Sequence, residues 1–237
     1  MRVTGLLFDK DGTLFDFMAT WGAWTRRLVE DLAGGAGPAG PEELGRAIGY
    51  DVASGRFSPD SPVIAHTPPE IAGRLLPLLP GRELPDLVDR MNRLSAMADM
   101  AEAVPLKPLF RSFRARGLKV GLVTNDAEEP ARAHLAKAGI ADLFDFVSGS
   151  DSGYGAKPAP GPLLTFALRF SLRPQDVAMV GDSRHDLMAG RAAGMRTVGV
   201  LTGLAGAAEL APDADVVLPD IGHLPDWLDG RVRPAAT

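Results

Sequence analysis

Several residues able to do chemistry stand just beyond short apolar runs in this chain. Asp9 and Asp11 follow the run at residues 3–8, and Asp182 and Asp186 follow the run at 177–180. Thr124 and Asn125 close the run at 120–123, and Lys157 lies in the loop and helix start after the run at 144–147. If these runs are strands of one open parallel sheet, the polar residues converge on a crevice outside the carboxyl ends of the strands. Three or four carboxylates beside a single lysine repel one another, since like charges ~4 Å apart cost roughly 4 kcal/mol at an effective dielectric of 20. A divalent cation resolves that conflict. Oxygen-only ligands favour a hard ion, and a few carboxylates with room for water suit Mg²⁺ better than a calcium cage. Mg²⁺ and Lys157 together would make the crevice attractive to a small anion.

The elements that must position these residues show as a rhythm. Two further apolar runs, at 197–201 and 216–218, follow the four already named, and helix-like patterns at 128–138, 161–170 and 187–193 lie between the later runs. Near-continuous apolar runs suit strands buried on both faces, and their alternation with helices predicts a doubly wound, parallel α/β sheet. The rhythm stops between residues 17 and 103, where no strand pattern is evident. There Phe17, Trp21, Trp24, Leu28 and Leu32 line one helical face, and Leu84, Leu87, Val88, Met91 and Leu94 line another. The organisation predicted is a core of residues 1–16 and 104–237 with a helical cap inserted at 17–103.

Composition narrows the possible partners. The 237 residues carry a formal net charge of −5 and no cysteine, which excludes disulfide scaffolds, thiolate zinc sites and cysteine nucleophiles. Without a broad basic surface, no nucleic-acid partner is expected. No run is long enough to span a membrane and no signal peptide is evident at the start, so a cytoplasmic location and no membrane partner are expected.

The run from Phe8 through Asp9, Lys10, Asp11, Gly12 and Thr13 resembles the first motif of the haloacid dehalogenase-like hydrolase superfamily, whose phosphatases carry Asp-x-Asp-Gly-Thr. Thr124-Asn125 resembles its second motif, Lys157-Pro158 its third, and the stretch from Gly181-Asp182 to Asp186 its fourth. The helical insert sits where that superfamily carries a cap. The resemblance is to its phosphoglycolate phosphatase-like members. It implies Asp9 as a nucleophile that forms an aspartyl-phosphate and Asp11 as the general acid and base. It also implies Mg²⁺ held by Asp9, Asp182 and the backbone carbonyl of Asp11, with Asp186 orienting a metal-bound water or Lys157. Thr124, Lys157, Asn125 and the backbone near Gly12 would bind phosphate oxygens. Asp11 argues for a phosphatase, because ion-pumping ATPases have Thr at that place and dehalogenases lack the second Asp.

Competing motifs fail on context. The glycine-rich stretch at 35–40 matches a dinucleotide-binding pattern but follows a helix and contains Pro38. Gly181-Asp182-Ser183 with Asp220 and His223 imitates a serine esterase but leaves Asp9, Asp11 and Lys157 without a role. Trp21 and Trp24 read as cap packing, His66 as a residue able to reach the crevice, and Lys10 as either an ion pair or a substrate-side cation. Asp126 departs from the lysine that often follows Thr-Asn in phosphoglycolate phosphatase-like chains. The reaction expected is Mg²⁺-dependent hydrolysis of a small phosphate monoester, phosphoglycolate-like or a sugar phosphate, by a monomer or small homo-oligomer. The alternatives are a sugar phosphomutase of the same superfamily and a non-catalytic sensor of a phosphorylated metabolite.

Overall fold

The computed structural model describes residues 3–35 and 38–231. Residues 1–2, 36–37 and 232–237 lie outside it, so the glycine-rich stretch at 35–40 and the outer ends of the expected core are covered only in part. Strand β1 (Gly5–Phe8) comes first, followed by α1 (Phe17–Ala33), α2 (Pro41–Ala47), β2 (Tyr50–Asp51), β3 (Arg56–Phe57), α3 (Pro68–Leu75) and α4 (Leu84–Ala96). Then come α5 (Leu106–Ala115), β4 (Lys119–Val123), α6 (Glu128–Lys137), β5 (Phe146–Ser148), α7 (Gly161–Arg169) and β6 (Val177–Gly181). The chain continues through α8 (Arg184–Ala192), β7 (Arg196–Val200), α9 (Ala207–Leu210), β8 (Val216–Leu218) and α10 (Leu224–Leu228).

Six strands form one sheet in the order β5-β4-β1-β6-β7-β8, with every neighbouring pair parallel. The chain steps outward from β1 to β4 and β5, then crosses back to β6 on the other side of β1. That reversal opens a crevice at the carboxyl ends of β1 and β6. Both faces of the sheet are covered. Leu6, Phe8, Val120 and Leu122 pack with Phe110, Phe113 and Trp227, whereas Leu7, Val123 and Met179 pack with Leu163 and Phe166 on the other face. The period of two along β1 thus divides one strand between two cores. Each fully buried Leu or Phe contributes about 1.5–3 kcal/mol relative to exposure.

The insert has its own core. Asp16 caps α1 by accepting the Ala19 N–H at 2.8 Å, worth about 1 kcal/mol. Phe17, Trp21, Trp24, Leu28 and Leu32 are all buried, in one cluster with Leu44, Ile71, Leu75, Leu87 and Met91. Two connections join insert to sheet, and they pair with each other: the Asp16 N–H donates to the Ala101 carbonyl at 2.8 Å, and the Ala103 N–H to the Leu14 carbonyl at 2.9 Å.

Three expectations need correction. The insert contains strands after all, because β2 and β3 form an antiparallel hairpin; at two residues each they are too short for alternation to show in the sequence. Leu84 stands at the start of α4 and is 37% exposed, so the buried face of that helix is Leu87, Met91 and Ser95. The third apolar run shifts by two residues: β5 begins at Phe146, and Phe144 instead packs its ring 4.8 Å from that of Phe110. Among the described residues, no helix is long and apolar enough to cross a membrane.

Candidate active site

Asp9 is the first residue beyond β1, and its N–H donates to the Val180 carbonyl of β6 at 2.9 Å. The hydrogen bonding of the sheet therefore fixes this carboxylate at the crevice. Lys157 Nζ meets it at 2.5 Å and reaches Asp186 at 2.6 Å. Asp186 lies in the first turn of α8, where its Oδ2 accepts both the N–H and the hydroxyl of Ser183 and its Oδ1 faces Lys157. The same reciprocal capping starts α8 at Arg184, ahead of the apolar pattern. Asp182 directly follows β6 and accepts the Thr13 hydroxyl at 3.0 Å. Gly12 and Gly203 flank it so closely that a Cβ would stand 2.3 Å and 1.8 Å, respectively, from a carboxylate oxygen. Gly12 also adopts a φ of 77°, which other residues rarely tolerate.

Asp9, Asp182 and Asp186 are buried, and each offers a carboxylate oxygen within 4.8 Å of the others. Burial raises Asp9 to about 7; Lys157 opposes the rise, and Asp186 and Asp11 reinforce it. Burial, followed by the charges of Asp9 and Asp186, also pushes Asp182 well above the usual carboxylate range. Burial works against the Lys157 ammonium as well, but Asp186 and Asp9 outweigh it and keep the group protonated. Three carboxylates against one ammonium leave surplus negative charge in a space with little water. The donor set therefore fits a bound cation, and its oxygen-only chemistry fits a hard divalent one.

The Asp11 carboxylate stands apart from this trio. It faces Lys10 at 3.0 Å, and Lys10 also reaches Asp126 at 2.9 Å and His134 Nδ1 at 3.0 Å. Lys10 is fully buried, with the Trp21 ring centroid 5.2 Å from its ammonium. Burial disfavours its charge, but Asp11 and Asp126 reverse that and raise its pKa. His134 is held down to about 4 by burial and by Lys10. Nδ1 of that neutral ring accepts from Lys10, which leaves its Nε2–H to donate to the Ser95 carbonyl at 2.7 Å on α4. The Ser95 hydroxyl donates to Asp126 at 3.2 Å. Lys10 is thus an ion-pair residue joining the Asp11 carboxylate to the helical insert, and Asp126 is its counter-charge. Neither Asp126, His134 nor Ser95 stands out by sequence pattern; only the position of Asp126 beside Thr124-Asn125 hints at the cluster.

The remaining expected residues separate into two groups. Thr124 borders the crevice with its Oγ1 accepting the Asp126 N–H at 3.1 Å. Asn125 borders it too, but its amide is committed: Nδ2 donates to the Lys157 and Ala65 carbonyls at 2.8 Å each, and Oδ1 accepts the Lys157 N–H at 2.9 Å. It clamps the lysine loop and the insert, with no N–H left for a phosphate oxygen. The Gly12 N–H donates to the Phe15 carbonyl at 2.7 Å, and the missing Gly12 side chain leaves the space that the Asp182 carboxylate fills. Ser183 is the helix cap of α8, and His66, Trp21 and Trp24 line the crevice from the insert. Thr13, the last residue of the Asp-x-Asp-Gly-Thr motif, also shapes the Asp182 pocket, and so does Gly203, which nothing in its type separates from ordinary loop residues.

A sheet that reverses at β1 and β6, with a buried carboxylate trio and lysine at that reversal, places an oxygen-rich crevice able to hold a cation at the carboxyl ends of an α/β fold. The chain belongs to the haloacid dehalogenase-like hydrolases, whose family model matches residues 3–194. It is 41% identical over 92 residues to the phosphoglycolate phosphatase of Escherichia coli K12, covering 39% of this chain and 36% of that protein. It is 37% identical over 115 residues to the phosphoglycolate phosphatase of Neisseria meningitidis, covering 48% of each. The match thus spans less than half the length of these relatives. A predicted phosphoglycolate phosphatase from Haemophilus somnus superposes with a TM-score of 0.74 at 19% identity, covering 96% of this chain and 98% of that one. A putative β-phosphoglucomutase from Thermotoga maritima superposes with a TM-score of 0.68 at 19% identity, covering 97% of this chain and 100% of that one. At such identities the likeness establishes the shared fold.

Proposed function

We propose that this protein hydrolyses small phosphate monoesters through a phosphoryl-enzyme formed on Asp9. The observation that carries the reading is the Asp9 carboxylate itself, fixed at the end of β1 against Lys157 with Asp182 and Asp186 beside it. In the first step an Asp9 oxygen bonds to phosphorus and the ester P–O bond breaks, while Asp11 gives its proton to the departing alcohol oxygen. In the second step Asp11 takes a proton from water as that water attacks phosphorus. The Asp9–phosphorus bond breaks, releasing inorganic phosphate and restoring the carboxylate. Lys157 pairs with the non-bridging oxygens on which charge accumulates, and the Thr124 hydroxyl is placed to assist. Asp9, Asp182 and the backbone carbonyl of Asp11 would hold Mg²⁺, which would supply the positive charge that lets a carboxylate approach a phosphate dianion. Asp186 keeps Lys157 in place. Burial raises the Asp11 carboxyl above its usual range, with Lys10 opposing the rise, which favours a group able to hold a proton and then surrender it.

Phosphate release from a panel of phosphorylated metabolites, with and without Mg²⁺, tests the reading. 2-Phosphoglycolate, named by the relatives, and hexose phosphates belong in that panel. Release that requires Mg²⁺ and vanishes in Asp9→Asn is the expected result. Isomerisation without release would make the protein a mutase, and full activity in Asp9→Asn would overturn the mechanism.

A further inference from the structure

The two walls of the crevice have opposite chemistry. The sheet side presents the carboxylates and Lys157 described above. The insert side is built from α1, the turn at Pro62–Ile64, α3 and α4, and its apolar members include Trp21, Trp24, Val63, Ile64, Ile71 and Met91. Among the described residues lining that side there is no lysine, arginine, aspartate or glutamate; its polar side chains besides the indoles are His66, Asn92 and Ser95. The Ser95 hydroxyl is already committed to Asp126. Lys10 lies against the Trp21 ring but is fully buried and paired with Asp11 and Asp126, so it offers nothing to an incoming group. On the insert side, two polar atoms of crevice-lining residues are buried without a hydrogen-bond partner: Trp24 Nε1 and Asn92 Oδ1.

A buried polar atom without a partner carries a desolvation penalty that an arriving partner removes. An indole N–H needs an acceptor and an amide oxygen needs a donor. A single hydroxyl supplies both. A carboxylate or a second phosphate would instead be stripped of water against indole and aliphatic side chains with no ammonium or guanidinium to meet it. A cationic alcohol finds no free carboxylate on this side either.

Resting on the hydrolase reading above, we propose that the preferred substrate is the monophosphate of an uncharged alcohol with an apolar body and one further polar group. That body packs against Trp21, Trp24, Ile71 and Met91, and its polar group bonds to Trp24 or Asn92. Esters that carry a second anion are discriminated against.

Matched esters isolate this charge effect from size. The pairs are 2-phosphoglycolate with its amide, and 4-carboxybenzyl phosphate with 4-(hydroxymethyl)benzyl phosphate; benzyl phosphate and phosphocholine complete the set. kcat/KM is measured for each at saturating Mg²⁺ in wild type, Asn92→Ala, Met91→Arg and His66→Gln. The uncharged member of each pair is expected to exceed its carboxylate partner about tenfold or more. Asn92→Ala should erase the advantage of 4-(hydroxymethyl)benzyl over benzyl phosphate, and Met91→Arg should move the ratio toward the carboxylates. Equal or greater kcat/KM for the carboxylate esters overturns the inference while leaving the hydrolase reading intact. Loss of that anion preference in His66→Gln would assign it to the imidazole. Preference for phosphocholine overturns the inference likewise. Absence of Asp9-dependent release from every ester overturns the hydrolase reading itself, and the inference falls with it.

Discussion

The sheet side and the insert side of the crevice are built on different principles. On the sheet side, strand ends and a helix cap hold charged groups by short, directional contacts: Lys157 between Asp9 and Asp186, and Asp182 between two glycines and Thr13. On the insert side, amphipathic helices present indole and aliphatic surface whose shape follows from how one hydrophobic cluster packs. On the proposed reading, the first arrangement sets what reaction is possible and should tolerate no change of residue type. The second would set which alcohol fits and should tolerate change with graded effects. Lys10 joins the two through Asp11 on one side and, on the other, through the Trp21 ring and through His134 of α6, whose Nε2–H reaches the Ser95 carbonyl of α4.

Substitutions should divide along that line. Asp9→Asn is expected to abolish turnover with a near-native melting temperature, and Asp11→Asn to lower kcat by about 10²–10⁴-fold with some loss of stability, because it removes one of the two counter-charges of buried Lys10; phosphate release and thermal melts check this. Lys157→Met should cost roughly 10²–10³-fold in kcat, more than any single insert-side substitution; a larger loss from Trp24→Phe would break the comparison. Lys10→Met leaves Asp11 and Asp126 buried without a counter-charge and should destabilise the fold by about 3–5 kcal/mol. Adding Asp126→Asn should recover part of that stability in urea melts, and failure to recover any would separate the two residues energetically.

The carboxylate trio gives the sheet side a pH signature. Burial, with Lys157 opposing and Asp186 and Asp11 reinforcing, holds Asp9 at about 7 against its ordinary 3.8. Its folded-state pKa lies above the unfolded one, so the group takes up a proton on folding in that window, and stability without metal falls as pH rises from about 4 through about 7. A cation does the same work as that proton. Mg²⁺ should therefore raise the melting temperature more at pH 8 than at pH 5, and an equal rise at both would show that Asp9 does not help to hold the ion. The smallest effect expected is from Trp24→Phe, which keeps the ring surface and removes the N–H: a change of a few-fold in KM with kcat retained.

The same contrast governs what could be read from the sequence. Asp9, Thr124 and Asp182 each stand just beyond an apolar run, so the strand-end rule marks them without coordinates, whereas Lys157 lies farther along the loop after β5 and is marked by the Lys157-Pro158 resemblance. α1 was legible for a similar reason, since its spacing of apolar residues states which face is buried. The hairpin of β2 and β3 was not, because two-residue strands carry no period. Asp126 and His134 were not, because pairing with Lys10 depends on β1, β4 and α6 being neighbours, which no local pattern encodes. Asn125 and Gly12 show a third limit: the sequence marks them as site residues, but only the hydrogen bonds show that their polar groups are spent on the protein itself.

The central claim is that Asp9 carries the phosphoryl group and Asp11 helps to remove it. Intact-mass measurement of Asp11→Asn, mixed with Mg²⁺ and an ester that the wild type hydrolyses, tests this directly. The expected result is a species heavier by one phosphoryl group, sensitive to hydroxylamine, mapped to the peptide containing Asp9 and absent from the Asp9→Asn, Asp11→Asn double variant. A phosphoryl group on any other residue, or turnover by Asp9→Asn at the wild-type rate, would contradict it.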